Sequence, residues 1–197
     1  MRCFHYLICS QVKQLMVASL FSICLTPAAV ASDVNAMPSS IPGRGTFSEA
    51  MLTEHNAERV KLGIAPLFWS VELSSDARTW AEKLANEKIF EHAYAEVLQK
   101  KQGENLWMGT AGEFAYAEMA ALWLDEHVLM KSGRFPDVSK TGKWEDVGHY
   151  TQMIWADTRQ VGCAIAKNNI DEFVVCRYFP AGNILGVTIN LETRKQW

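Results

Sequence analysis

The chain has 197 residues, with 19 Lys or Arg against 22 Asp or Glu and a formal charge of −3 at pH 7. Two of the 19 basic residues, Arg2 and Lys13, precede the first acidic residue, Asp33; without that stretch the balance is 17 to 22, a charge of −5. That balance lacks the basic excess that a phosphate-backbone ligand calls for, so no nucleic-acid partner is expected.

Residues 15–31 (LMVASLFSICLTPAAVA) form an apolar run that ends in the small-residue pattern Ala29-Val30-Ala31, which reads as a secretory signal peptide over residues 1–31, cut after Ala31 or Ala36. A membrane anchor is the alternative, but Pro27 leaves an uninterrupted stretch shorter than the ~20 apolar residues that span a bilayer. The expected location is secreted, extracellular, or periplasmic if the source is a Gram-negative bacterium, with no transmembrane segment in the mature chain. Residues 32–45 hold two Pro, two Gly and three Ser and read as a flexible leader. Residues 46–197 then make one domain.

Thr46-Phe47-Ser48-Glu49 is a capping box, predicting a helix that ends before Gly63. Leu73, Ala77, Trp80 and Leu84 share one helical face and predict a second helix over 71–87. A third, over 113–130, is apolar nearly all round and is expected to be central. The stretch from 131 to 145 (KSGRFPDVSKTGKWE) is polar and contains Gly, so a solvated loop is expected there, with a ligand lid as the alternative. Strands follow around 161–166, 172–179 and 184–190. Helices packed on a small antiparallel sheet make an α+β fold.

The strands VGCAIA and EFVVCRYF flank KNNID, and positions 163 and 176 lie symmetrically about the Asn-Asn turn. Cys163 and Cys176 therefore face each other across a hairpin, and in an oxidising compartment they are expected to form a disulfide. Neither suits nucleophilic work: a bridged sulfur cannot attack, and no basic neighbour is evident that would lower a free thiol's pKa.

Four polar residues stand in distinctive settings: His92, Glu104, Glu126 and His149. His92 follows the second helix, where a C-terminal cap is the simpler reading. Glu104 lies in QGENLWMG, where Gly103 permits a sharp turn and Asn105 can tie down backbone groups; its carboxylate could accept loop amides or do chemistry. Glu126 shares a helical face with Met119, Leu122, Trp123, Leu129 and Met130, so it is either buried with a partner or solvated at the helix edge. His149 has Gly148 before it and Tyr150-Thr151-Gln152 after it, many polar groups in an apolar neighbourhood.

Residues 148–164 (GHYTQMIWADTRQVGCA) and 178–183 (YFPAGN) resemble two motifs of the CAP superfamily, which includes cysteine-rich secretory proteins, venom antigens and plant pathogenesis-related proteins. HNAER (55–59) and GENLW (103–107) match two more, in the expected order, so the resemblance covers nearly the whole mature domain. It implies a three-layer α-β-α sandwich and a cleft lined by two histidines and two acidic residues, which fall by position on His92, Glu104, Glu126 and His149. His55 corresponds to a packing residue. No cysteine follows Cys176 in these 197 residues, so the cysteine-rich C-terminal extension of the animal secretory proteins is not expected.

Two neutral imidazoles, His92 and His149, suit a divalent cation such as Zn²⁺, with the glutamates as further ligands or as acceptors that fix the rings; such a site would be open and weak. The expected function is thus a metal- and ligand-binding extracellular module. One alternative is a metal-dependent hydrolase with Glu104 and Glu126 as catalytic candidates. Another is a sterol or fatty-acid binder, with an extracellular protein or lipid as partner. No serine stands in a nucleophile elbow, and no His-Glu-x-x-His helix is present.

Overall fold

The computed structural model describes residues 46–191, so the expected signal peptide and leader and the last six residues lie outside the described part. Helix α1 (Phe47–Lys61) starts as its capping box dictates: Glu49 N–H donates to Thr46 Oγ1 at 3.3 Å, and Thr46 N–H to Glu49 Oε2 at 2.9 Å. Strand β1 (Phe68–Trp69) leads into helix α2 (Val71–Glu87), capped by Ser70, whose Oγ accepts from Leu73 N–H at 3.2 Å. Then come α3 (Tyr94–Lys100), β2 (Gly103–Thr110) and α4 (Tyr116–Leu124), which runs into a 3₁₀ turn (Asp125–Leu129). The rest is β3 (Gly133–Arg134), a 3₁₀ turn (Trp144–Val147), α5 (Gly148–Met153), β4 (Gln160–Lys167), β5 (Asp171–Phe179) and β6 (Thr188–Ile189).

The main sheet has the order β1-β4-β5-β2, antiparallel except for the β1–β4 pair. The period-2 alternation of a strand sends successive side chains to opposite faces, and here both faces are covered. Leu106, Ala164, Phe173 and Val175 pack on Ala77, Ala81, Leu84 and Ala85 of α2. Trp107, Cys163, Val174, Cys176 and Tyr178 point the other way, onto Met51 of α1 and Met119, Ala120 and Trp123 of α4. The result is the three-layer α-β-α sandwich. The hairpin pairs Cys163 with Cys176, and their sulfurs are bonded.

Several local expectations need correcting. The third helix is shorter and less central than its composition suggested: it stops at Leu124, and Leu122, Val128 and Leu129 remain exposed, because it covers the sheet with one face. Its N-terminus is set by Glu118, whose carboxylate accepts from Ala115 N–H at 2.6 Å. GENLW is a strand rather than a loop, and as β2 it pairs with β5 along its whole length. The third strand expected at 184–190 shrinks to Thr188–Ile189 and joins β3 in a separate two-stranded sheet. The stretch 131–145 is not simply solvated: Phe135, Val138 and Ser139 are buried, the first two in a cluster with Val147, Tyr150, Ile154 and Trp155. Helix α3 had no evident signal in the hydrophobic pattern.

Candidate functional site

The four candidate residues form two histidine–carboxylate pairs. His92 lies beyond the end of α2, which is terminated by Lys88 in the left-handed conformation (φ 56°), so His92 does not cap that helix. Its Nδ1 is 2.7 Å from Glu104 Oε1. The same oxygen accepts from Ala93 N–H at 3.0 Å. The Glu104 side chain is 2% exposed, and its second oxygen lies 2.9 Å from Arg177 Nε.

His149 opens α5. Its Nδ1 is 2.6 Å from Glu126 Oε1, while Glu126 Oε2 accepts from the backbone N–H groups of His149 at 3.0 Å and Tyr150 at 2.9 Å. The carboxylate thereby satisfies orphan donors in the first turn of α5, where the helix dipole also favours negative charge. Glu126 stands three residues after Trp123, and the tight winding of the 3₁₀ turn brings both side chains to His149. The Trp123 indole stacks on the imidazole at 6.0 Å with the planes 17° apart, and its Nε1–H donates to Leu106 O at 3.1 Å. Of the two expectations for Glu126, a partner or solvent at the helix edge, these three polar contacts favour the partner.

Strand β2 joins the two pairs. Glu104 leaves it on the α2 side, and Asn105 on the other, where Asn105 Nδ2 donates to His149 O and to Tyr178 Oη, both at 3.1 Å. Tyr178 Oη is 2.8 Å from His55 Nε2, and His55 Nδ1 is 2.6 Å from Met51 O. Because a carbonyl only accepts, His55 carries its proton on Nδ1 and takes the tyrosine hydrogen on Nε2. Burial pushes the His55 pKa down to about 4, with Arg59 opposing protonation further, and burial raises that of Tyr178 well above its ordinary value. His55 is thus a neutral core residue, as its packing role implied.

Five other motif residues lock the loops around α5. Gln152 Oε1 accepts from Gly182 N–H at 2.9 Å, and the Gln152 side chain occupies the space that a Cβ at Gly103 would need. Asn183 Nδ2 donates to Gly148 O at 2.9 Å, and Thr151 Oγ1 donates to Asn183 Oδ1 at 2.6 Å. Tyr150 Oη donates to Glu58 Oε1 at 2.7 Å; burial first, then this bond, raises the Tyr150 pKa. Arg59, fully buried, donates to the carbonyls of Ala65, Met153, Trp155 and Thr158 at 2.8–3.0 Å and pins the chain after α5 to α1.

Arg177 and Trp123 escaped the reading of candidate polar residues. Arg177 had a signal, a lone charge inside the apolar strand EFVVCRYF. Among the described residues, no group of three or more His, Cys, Asp or Glu side chains is placed to hold a metal ion together. No described helix is long and apolar enough to cross a membrane.

The sequence model of the CAP family, described as "Cysteine-rich secretory protein family", matches residues 52–178. Pathogenesis-related protein 1B of Nicotiana tabacum is 32% identical over 136 residues, 68% of this chain and 76% of that one. Golgi-associated plant pathogenesis-related protein 1 of Homo sapiens is 33% identical over 140 residues, 71% and 86% of the two chains. Among solved structures, NaASP2 with Zn²⁺ superposes with a TM-score of 0.61 at 25% identity, covering 80% of this chain and 90% of that one. BmVAL-1 gives 0.59 at 25% identity, covering 76% and 85%. The motifs that cross-brace β2, α5 and the 178–183 loop all lie within or beside the matched span, and the chain belongs to the cysteine-rich secretory protein (CAP) family.

Proposed function

We propose that this protein is an extracellular binding module whose two partly exposed imidazoles, His92 and His149, offer Nε2 to a divalent cation such as Zn²⁺. The observation that carries the reading is the pair of Nδ1–carboxylate contacts at 2.7 and 2.6 Å. An imidazole that donates its Nδ1 hydrogen to a carboxylate presents an unprotonated Nε2, the arrangement that metal-binding histidines adopt. The rings are 25% and 33% exposed, so ligands can reach them. The donor set fits an open site of two ring nitrogens completed by water, not a closed four-ligand site. Both glutamates are engaged in holding the rings, which favours them as orienting groups rather than ligands. A bound Zn²⁺ would supply a Lewis acid; the chain itself supplies ring orientation and access. NaASP2, which shares the fold, was solved with Zn²⁺.

The extracellular assignment is supported by the Cys163–Cys176 bond, which suits an oxidising compartment, and by membership of a secretory family. The two alternatives draw less support. Hydrolysis would need a carboxylate free to act as base, and both are occupied by N–H groups or charge. For a sterol or fatty acid, the cavity beside Ile64, Ile154 and Trp155 has a volume of ≈ 90 Å³, below the ~300 Å³ at which ligand pockets begin. The larger cleft beside His92, ≈ 400 Å³, is lined by the charged Lys83, Glu91 and Glu96 as well as by Trp80 and Tyr94, which suits a polar ligand better than an apolar one.

The test is a calorimetric Zn²⁺ titration of the protein beside its His92→Ala/His149→Ala variant near pH 7.5. Uptake by the parent and loss in the variant, with unchanged circular dichroism, is the expected result. Equal uptake by both, or none by the parent, removes the metal reading.

A further inference from the structure

Arg177 is fully buried in β5, directly opposite Glu104 of β2 in the strand register. Side chains opposed in this way leave the sheet on one face as neighbours, and the guanidinium and carboxylate are 2.9 Å apart at Nε and Oε2. Glu104 Oε2 and Arg177 Nε and Nη2 have no aligned hydrogen-bond partner among the described residues, so their contact is an ion pair first. Two charges this deep persist because each neutralises the other, and removing one leaves the other uncompensated.

The guanidinium is held in turn. Its Nη1 donates to Gln102 Oε1 at 3.1 Å, and Nη2 lies 3.6 Å from Glu96 Oε2. Gln102 Nε2 donates to Asp76 Oδ2 at 2.7 Å, and Lys100 Nζ reaches Asp76 at 2.6 Å and Glu96 at 3.3 Å. A chain of contacts therefore runs from α2 through α3 to Arg177, then to Glu104 and His92. The two pairs of the site are held by different means. Backbone N–H groups of α5 orient Glu126, whereas Glu104 has one backbone donor, Ala93 N–H, which shares an oxygen with His92. The other Glu104 oxygen is anchored by Arg177.

We infer that Arg177 is a positioning residue: by anchoring Glu104 Oε2 it turns Oε1 to His92 Nδ1, which places the ring proton there and leaves Nε2 for the ligand. This rests on the reading of His92 as a cation ligand, but ring tautomer and cation affinity are separable readouts. Lysine at 177 keeps the charge yet cannot serve Glu104, Gln102 and Glu96 at once, because its ammonium is a point charge rather than a planar fork.

The test compares the protein with Arg177→Lys and with the double variant Arg177→Met/Glu104→Gln, which removes both charges of this pair together, so that neither is left buried without the other. Histidine side-chain ¹⁵N spectra at pH 8 report the tautomer of His92, with His149 in the same molecule as internal control. The parent should show His92 protonated at Nδ1. Both variants should shift His92 toward a mixture of tautomers while His149 keeps its pattern, and Zn²⁺ affinity should fall roughly 10- to 100-fold. A parent with His92 protonated at Nε2, or a folded variant with His92 shifts and Zn²⁺ affinity unchanged, overturns the inference. A parent that shows the Nδ1 tautomer, lost in the variants, but takes up no Zn²⁺ upholds the role of Arg177 and sinks the metal reading alone.

Discussion

Lowering the pH from 7 to 4.5 should destabilise this protein through His55. The residue is fully buried and neutral, its Nδ1–H given to Met51 O and its Nε2 accepting from Tyr178 Oη. Its pKa falls from 6.5 to about 4 on folding, mainly because burial penalises the imidazolium. The sign follows from which state binds the proton. Between these two values the unfolded chain is protonated and the folded one is not, so the stabilisation is whole above about pH 6.5 and is lost as pH falls toward 4. At about 1.4 kcal/mol per pKa unit, the full loss is about 3 kcal/mol, of which roughly 2 kcal/mol has gone by pH 4.5. The assay is urea denaturation at pH 7, 6, 5 and 4.5 for the protein and for His55→Gln, which cannot titrate but can still accept from Tyr178. Carboxylates and exposed histidines titrate alike in both, so the difference isolates His55. The parent should lose about 2 kcal/mol more than the variant across the series; parallel curves would refute the reasoning.

Arg59→Met should cost roughly 3–5 kcal/mol, because four carbonyls lose their buried donors at once; a urea midpoint within about 0.5 kcal/mol of the parent would contradict this. Gly162→Ala should cost roughly 1–3 kcal/mol by overpacking, since its Cβ would collide with backbone atoms of Ser70 and Ser74 and with Leu73 Cβ, none of them a flexible side-chain end; the thermal midpoint reads this out. The Cys163–Cys176 bond closes a short loop, at a sequence separation of 13, so reduction or a double alanine variant should lower stability by about 3 kcal/mol. An unchanged denaturation midpoint in reductant would show that the bond is not formed.

The parts of the fold that were legible came from short-range rules. The Thr46–Glu49 box starts α1, and the Leu73, Ala77 and Leu84 face defines α2, because caps and periodicity act within one or two turns. The hairpin register followed from its turn: spacing alone put Cys163 against Cys176. GENLW was harder to read as a strand because its partner, β5, lies some 70 residues away and nothing local forces the pairing. The loop 131–145 looked solvated because its few apolar residues, Phe135 and Val138 among them, find cover from residues far along the chain. For Glu126 the helical pattern left a partner and solvent both open, because the partner, His149, stands 23 residues on and the helix gives way to a 3₁₀ turn.

What the sequence by itself determined is the set of groups: two histidines, two glutamates and a cysteine pair, with motifs specific enough to identify the family. What only the tertiary structure decided is which group holds which. His92 and Glu104 are 12 residues apart and His149 and Glu126 are 23 apart; Arg177 meets Glu104 only because β2 and β5 pair in one register. Helical and strand periods describe a residue's face on its own element. Whether a carboxylate finds an imidazole, an arginine or an N–H row depends on how separate elements stack, and that is set by the burial of the sheet's two apolar faces.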